Sequence, residues 1–484
     1  MCAVTDQSLV LDLAALLGEA HVQTGEAAQD YTHDVTFLQH DLSAAVHPAS
    51  TEEVAQVVRL CAERDLPIVA RGAGTSLVGG PVPLAGGVVV CLDRLDELEL
   101  DVANTVAVAG AGVITARIDE LANEQGLMYP PDPASISMST IGGNVACNSG
   151  GMRCVKYGVT ADYVVGLTVV LASGEILRLG GRLRKRSSGY RLQQLFIGSE
   201  GTLGIVTEVI VKLIPNPRHR ATAMVGFRSL AEAGAAVSRV LGGGHFPTAL
   251  EIMDRYAIDA VHAVLQPPFA PDIQAVLVIE QDGHDSDQVQ MALFGMVELL
   301  DGADNRIAQS DAERERLWHA RRNFGKLLME MPYNRLSEDV AVPIGNIPEM
   351  LRRIDRLAEE SGVRICTVGH AGDGNLHPSL LFTDEQRPVI SAVAGRIFRD
   401  ALELGGTISA EHGLGVLKRD YAQLEHSPLA MSLMRQVKDL LDPKGLLNPH
   451  KIFPEHPADD EFLNHIPGWF PDEGSPPHRG EIAT

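Results

Sequence analysis

Three glycine-rich segments punctuate the first half of the chain, and each weakens any regular element drawn through it. They are Val69-Ala-Arg-Gly-Ala-Gly-Thr-Ser-Leu-Val-Gly-Gly-Pro81, Ser139-Thr-Ile-Gly-Gly-Asn-Val-Ala-Cys-Asn-Ser-Gly-Gly151 and Gly198-Ser-Glu-Gly-Thr-Leu-Gly-Ile-Val206. Lacking Cβ atoms, such segments bring backbone close to a ligand and turn N–H groups toward an anion such as a pyrophosphate. Gly72-Ala-Gly74 opens like a dinucleotide fingerprint, and Asp93 lies about 20 residues on. The match fails, because Leu77 takes the third glycine position and Gly79-Gly80-Pro81 cannot continue a crossover helix. Taken alone, the first loop reads more readily as a structural turn. The second, preceded by Pro130-Pro131-Asp132-Pro133, supplies small donor-rich backbone suited to a large polar cofactor.

The elements around these loops predict an α+β chain. Residues 8–20 and 51–64 repeat apolar residues at helical spacing, the second after a Ser50-Thr51 start with Glu52 and Glu53 in the first turn. Short β-branched runs at Ile68-Val69, Val88 to Val90 and Thr105 to Val108, then 163–172 and 205–214, read as strands. Pro215-Asn216-Pro217 breaks the pattern, so a boundary is expected near residue 217. Beyond it, helical segments at about 229–241, 286–301, 311–330, 347–361 and 386–404 alternate with strands such as 275–280 and 364–369, which predicts a sheet with helices on one face. A further helix near 427–441 leads into the turn-rich Asp442-Pro-Lys-Gly-Leu-Leu-Asn-Pro449. The division expected is therefore 1–217, 218–454 and a mobile proline-containing tail at 455–484.

Composition narrows the function. At 484 residues, the chain exceeds the size of a single core. Its formal charge of -23 argues against nucleic acid as a partner, and the basic stretch Arg178 to Arg191 reads as a solvated loop, with docking of an acidic partner as the alternative. The six cysteines include no C-x-x-C pair, which fits a reducing compartment and offers no site for an iron–sulfur cluster. No signal-peptide pattern opens the sequence and no apolar run approaches the about 18 residues of a membrane helix, so a cytoplasmic location is expected.

The three glycine segments, in this order and spacing, resemble the FAD-binding domain of the vanillyl-alcohol oxidase (p-cresol methylhydroxylase) superfamily over roughly residues 38–217. The resemblance implies a two-part FAD-binding fold. It places cofactor contacts on Arg71, Gly72, Ala73, Gly74, Thr75, Ser76, Gly79 and Gly80; on Pro131, Asp132, Ser139, Thr140, Gly142, Gly143, Asn144, Asn148 and Gly151; and on Glu200, Gly201, Gly204 and Ile205. Members that attach FAD covalently in the first loop use a histidine after the second glycine. Thr75 stands there, so non-covalent FAD is expected.

A second cluster lies downstream. His370 and His377 flank Ala-Gly-Asp-Gly-Asn-Leu, and two imidazoles on the limbs of a tight turn can converge on one cation, with a carboxylate such as Glu411 completing the set. His412, with a reference pKa of about 6.5, can exchange a proton near neutrality. Against this stand seventeen histidines in all, any of which is more often a surface or satisfied core residue.

Residues 370–377, 409–415 and 442–451 resemble the C-terminal domain of the FAD-linked oxidase family, which includes D-lactate and D-2-hydroxyglutarate dehydrogenases and the flavin subunit of bacterial glycolate oxidase. The resemblance implies a divalent metal, zinc or else manganese or iron, on His370, His377 and Glu411, with His412 as the catalytic base and Asn448 among the flavin contacts. Leu317-Trp-His-Ala-Arg321 resembles the segment whose arginine binds the substrate carboxylate. Arg321 is the residue expected, with Arg322 as the register alternative and a helix-surface ion pair as the bland reading. The hydroxyglutarate branch carries a lysine just before its Asp-x-x-x-Pro segment. Here Ser337 and Glu338 precede Asp339-Val-Ala-Val-Pro343, which favours glycolate or D-lactate over hydroxyglutarate.

The expected activity is oxidation of a 2-hydroxy acid to the 2-oxo acid. The relatives imply a second flavin-type subunit and an iron–sulfur subunit, at most peripheral membrane association through them, and a homodimer as the alternative assembly. The competing readings are another hydroxylated substrate, such as an aldose or ether-lipid precursor, and a non-catalytic electron-transfer subunit.

Overall fold

The computed structural model describes residues 6–36, 38–261, 267–329 and 331–456. Among the described residues, two small sheets, with the two-stranded pair Leu127–Met128 and Ile214–Pro215 beside them, build the first half. Val22–Gln23, Ala44–Val46, Val88–Cys91 and Ile68–Arg71 lie side by side in that order, the last three parallel. Helices Gln7–Leu17 and Thr51–Glu63 cover this sheet, and Leu9, Leu13, Val54, Val57 and Val58 are buried against Ala44, Val46, Val88 and Val90. Ser50 caps the second helix by accepting the Glu53 N–H. The other sheet is antiparallel, in the order Leu98–Asp101, Val106–Gly110, Ile205–Lys212, Val164–Val170 and Ile176–Gly180. Its edge strand runs into the basic loop, where Arg182 pairs with Glu99 and Asp101 at the surface.

An eight-stranded antiparallel sheet organises the second half. Its order is Asp304–Ile307, His219–Phe227, Ala275–Gly283, Ala249–Asp254, Arg364–His370, Asn375–Phe382 and Asn334–Ser337, with Val340–Ala341 also paired to Asn375–Phe382. The one-faced arrangement expected from sequence is corrected by the packing. Val225, Leu250, Ile252, Leu277 and Ile279 face helices Leu230–Gly242, Ser286–Leu300, Ile347–Ser361 and Ile390–Glu403, while Met224, Met253, Val276 and Val278 face Asp311–Met329 and Arg255–Ala260. The strands are apolar at successive positions, so each face needs a cover. Burying each such side chain fully contributes about 1.5–3 kcal/mol.

Two devices fasten the halves. Lys156 and Tyr157 both reach Asp282, whose carboxylate is almost fully buried. The chain also returns after helix Pro428–Leu441: Leu447 bridges Ile68 in parallel, and the buried Lys438 ammonium donates to Thr202 O and Leu447 O. Glu455 and His456 are anchored at Asp420 through their backbone N–H groups, and the rest of the expected tail, 457–484, lies outside the described residues. The five described cysteines are free, and no helix among the described residues is long and apolar enough to cross a membrane.

Candidate active site

Strand Arg364–His370 and strand Asn375–Phe382 form a hairpin in which Val368 faces His377 and His370 faces Asn375. His370 and His377 are therefore diagonal neighbours on one face of the sheet, and their rings meet edge-on with centroids 5.1 Å apart. Gly374, at φ 88, closes the turn with Val342 O so near that a Cβ would lie 2.1 Å from it.

Glu411 Oε1 is the point on which the histidines converge. It lies 3.5 Å from His370 Nε2, 3.3 Å from His377 Nε2 and 3.8 Å from His412 Nε2. The rings of His377 and His412 stack at 5.3 Å. The loop carrying Glu411 and His412 has no regular structure, and Asp339 holds it instead. One carboxylate oxygen accepts the N–H groups of Ala410, Glu411 and His412 at 2.8, 3.0 and 3.1 Å, and the Ser409 hydroxyl at 3.0 Å. The other oxygen is buried without a hydrogen-bond partner, as are His412 Nδ1 and Asn375 Oδ1. Donor atoms of Asp339, His377, Glu411 and His412 all fall within 4.8 Å of one another. Unpaired buried nitrogen and oxygen donors at this spacing suit a borderline divalent ion.

Glu251 and Asp339 were given no role by sequence. Glu251 is fully buried in strand Ala249–Asp254, where Oε2 accepts from Arg321 Nε at 2.9 Å and Nη2 at 2.7 Å. Its Oε1 lies 2.8 Å from His370 Nδ1, which must donate because a carboxylate only accepts. His370 is left with Nε2 toward Glu411, the carboxylate–histidine arrangement that fixes a ligand's tautomer. An acid flanked on both sides by apolar residues within the strand was the available signal. Arg322 points away, exposed and paired with Glu315, so Arg321 is the arginine beside His370.

The electrostatics follow from these contacts. Burial works against charge on His370, but Glu251 and Glu411 hold it well above the usual imidazole range. His377 is pushed down to about 3, by burial first. Burial likewise opposes the Asp339 charge, yet His412, Lys418 and His377 keep its carboxyl well below the usual range. Lys418 is buried, donating to Asp339 O and Ile408 O, both at 2.9 Å, and facing Glu338 at 3.4 Å.

Glu338 goes the other way, raised by burial to about 7. Between its unfolded value of about 4.3 and that pH, the folded protein keeps a proton that the unfolded chain has lost. This contribution is complete below the unfolded value and disappears as pH rises through about 7. Glu338→Gln should therefore gain on the native protein by about 2 kcal/mol between pH 5 and pH 8, read as the difference of their denaturation curves. Parallel pH dependence in both proteins would refute it.

All three glycine segments reach this cluster. A Cβ on Gly150 would lie 2.8 Å from Glu411 Oε2, and one on Gly413 would lie 2.7 Å from Glu200 Oε1. Glu200 accepts the Leu414 and Gly415 N–H groups at 2.7 and 2.8 Å, and Val416 N–H donates to Val78 O. The first two segments touch each other as well, since a Cβ on Gly72 would lie 2.4 Å from Thr140 Oγ1. Gly74 and Gly79 have φ of 74 and 79, open to glycine and strained for other residues. Ser139 Oγ is buried beside this junction without a partner, an open donor that suits a polar cofactor.

Not every residue expected to touch the cofactor is free to do so through its side chain. Arg71 donates to His33 O and Asp30 O, and Ser76 Oγ accepts the Val78 and Gly80 N–H groups. Asn144 donates to Thr115, Asn148 accepts the Ala161 N–H, and Asn448 donates to Gly80 O and Glu200 O. Gly142 and Gly204 lie tight against Ala111 and Val169, Ile205 is core, and Asp132 pairs with Arg153. Pro131 is buried next to it, and Gly151 lies against Asp132 O. Ala73, Thr75 and Gly201 offer backbone in the same loops, whereas Gly143 lies in helix Ile141–Cys147 with its N–H accepted by Thr140 Oγ1.

The model for the C-terminal domain of FAD linked oxidases matches residues 216–452, and that for an FAD binding domain matches 42–180. The glycolate oxidase subunit GlcD of Bacillus subtilis is 39% identical over 435 residues, covering 87% of this chain and 92% of that protein. The chain belongs to the FAD-linked oxidase family. A second member, D-lactate dehydrogenase of Anaerostipes hadrus, is 38% identical over 446 residues, with 88% and 93% covered. The fold is also that of p-cresol methylhydroxylase, at a TM-score of 0.76 and 17% identity, over 92% of this chain and 96% of that one. As a family member the chain is an FAD-linked oxidoreductase, and its fold is the p-cresol methylhydroxylase type of FAD-binding domain followed by an α+β domain.

Proposed function

We propose that this FAD-linked oxidase oxidises a small 2-hydroxy acid, glycolate or D-lactate, to the 2-oxo acid, with residues 1–217 as the cofactor half and 218–454 as the substrate half. The observation that carries the reading is Glu251, which joins the buried Arg321 to the first histidine of the hairpin. Bound FAD, on the three glycine segments, would supply the two-electron acceptor, and a divalent ion on His370, His377 and Glu411 would acidify the substrate hydroxyl. Arg321 binds the carboxylate. Glu251 already occupies its Nε and Nη2, which leaves Nη1 to donate. His412, whose Nε2 lies 3.8 Å from Glu411 Oε1, takes the hydroxyl proton, while Asp339 holds the loop beneath it in place. Ser337 pairs with the Ser379 hydroxyl at 3.0 Å and offers no cation to a second carboxylate, which supports a small substrate. The GlcD relative is named as a subunit, which supports partner subunits that carry the electrons onward.

An anaerobic screen of D- and L-2-hydroxy acids, following flavin absorbance, tests the reading. Bleaching by glycolate or D-lactate is the expected result; bleaching only by an aldose or another alcohol would overturn it. Arg321→Lys should raise KM for the acid at least about tenfold with a smaller change in kcat, since an ammonium cannot keep Glu251 and a substrate carboxylate together.

A further inference from the structure

A polar cavity of about 300 Å³ opens where the two halves meet. Four guanidinium groups line it: Arg153, Arg218 and Arg220 around the crossover, and Arg314 from the first turn of helix Asp311–Met329. Asp119 is the one carboxylate in its wall, and it also accepts the Tyr129 N–H at 2.9 Å. Among the described residues, neither Arg218 nor Arg220 has a carboxylate within 4.0 Å, although the chain as a whole carries a formal charge of -23. Arg314 reaches Asp311 and Glu315 only at 3.5 Å, and its Nε is buried without an acceptor.

Arg153 is compensated by Asp132 at 3.3 Å, but Arg218, Arg220 and Arg314 share this small space and repel one another, and a buried donor without an acceptor, such as Arg314 Nε, is rarely left so. Both features are relieved by a guest that is anionic and rich in oxygens. Guanidinium forks pair bidentately with phosphate and carboxylate oxygens, and the volume admits a small molecule but no polymer. Arg314 stands seven residues before Arg321 on one helix, about 10 Å along its axis, beyond the length of a two- or three-carbon acid. We propose that this cavity is a second ligand site, taking a small oxyanion with two or more negative charges, of the phosphate or polycarboxylate kind. Because Arg153 precedes the boundary and Arg220 and Arg314 follow it, the bound anion ties the two halves together.

The test uses the FAD-loaded full chain, so that the flavin pyrophosphate site is filled. Inorganic pyrophosphate, inorganic phosphate and citrate are each titrated at ionic strength held constant with sodium chloride, and Tm is followed. The expected result is a saturable rise of about 2 °C or more with at least one of them, the phosphate and citrate arms identifying the source. The double variant Arg218→Glu, Arg220→Glu should weaken that ligand more than tenfold with an unchanged flavin spectrum. If that variant loses flavin, Arg218→Gln replaces it, with at least a threefold weakening expected. A native rise no greater than chloride alone gives, or equal affinity in the variant that keeps its flavin, overturns the proposal.

Discussion

His412→Asn is expected to keep its flavin and lose its anaerobic bleaching by 2-hydroxy acid, with the rate falling about 10²–10⁴-fold, the range a positioned general base supplies. The imidazole is placed by its neighbours: stacked on His377, its backbone N–H on Asp339, and its Nδ1 buried with nothing to bond. Asparagine keeps a polar group of similar reach but cannot take up the proton. Stopped-flow absorbance of the variant against the native protein measures the effect. Bleaching at the native rate would remove His412 from the reaction.

Glu251→Gln has the largest expected effect on the site as a whole. The carboxylate offers one oxygen to Arg321 and the other to His370, and both partners are donors. A glutamine can accept on only one side, and its amide NH2 must face a donor on the other. Breaking a buried ion pair of this kind costs about 3–5 kcal/mol, because a buried charge is left uncompensated. Two readouts are expected to move together: a lower Tm in the metal-free protein, and divalent-metal affinity weakened about 10–100-fold, as when a ligand histidine loses its outer partner. Metal retained after dialysis at the native level, with Tm unchanged, would show that Glu251 does not organise the site.

The expected role of Glu251 also bears on specificity. It preorganises Arg321 while leaving it a single unshared terminal nitrogen, so on the proposed function a substrate carboxylate would meet a guanidinium already oriented. A lysine at 321 would be drawn wholly to Glu251. The Arg321→Lys and Glu251→Gln variants thus probe one unit from its two ends, and their combined effect should fall short of the sum.

Much of the candidate site is legible in the sequence, for local reasons. The spacing of His370 and His377 about Gly372-Asp-Gly374 dictates a hairpin, and a hairpin places the two rings on one face whatever lies around it. The three glycine segments carry their backbone requirements in their composition, and positive φ at Gly74, Gly79, Gly151, Gly198 and Gly201 agrees with that. The helices from 230 to 441 followed their apolar periodicity to within a few residues. Strands His219–Phe227 and Ala249–Asp254 were not anticipated, because neither shows the alternation of a strand wet on one side. Their apolar residues serve two cores at once, and the second helical layer was missed for the same reason.

What sequence by itself determined is the set of local chemistries: flexible glycine backbone for a large cofactor, a histidine hairpin, a proton-exchanging histidine beside a carboxylate. Only the tertiary structure decided which of these meet. Asp339 reaches Glu411 and His412 across 72 and 73 positions, Glu251 reaches His370 across 119, and Glu200 reaches Leu414 across 214. Contacts so distant leave no periodicity to read, since they depend on strand order and on how two halves of the chain are docked. The carboxylates that hold the proposed catalytic groups are visible only there, because a buried acid is distinguished from an ordinary one by the partners that compensate its charge.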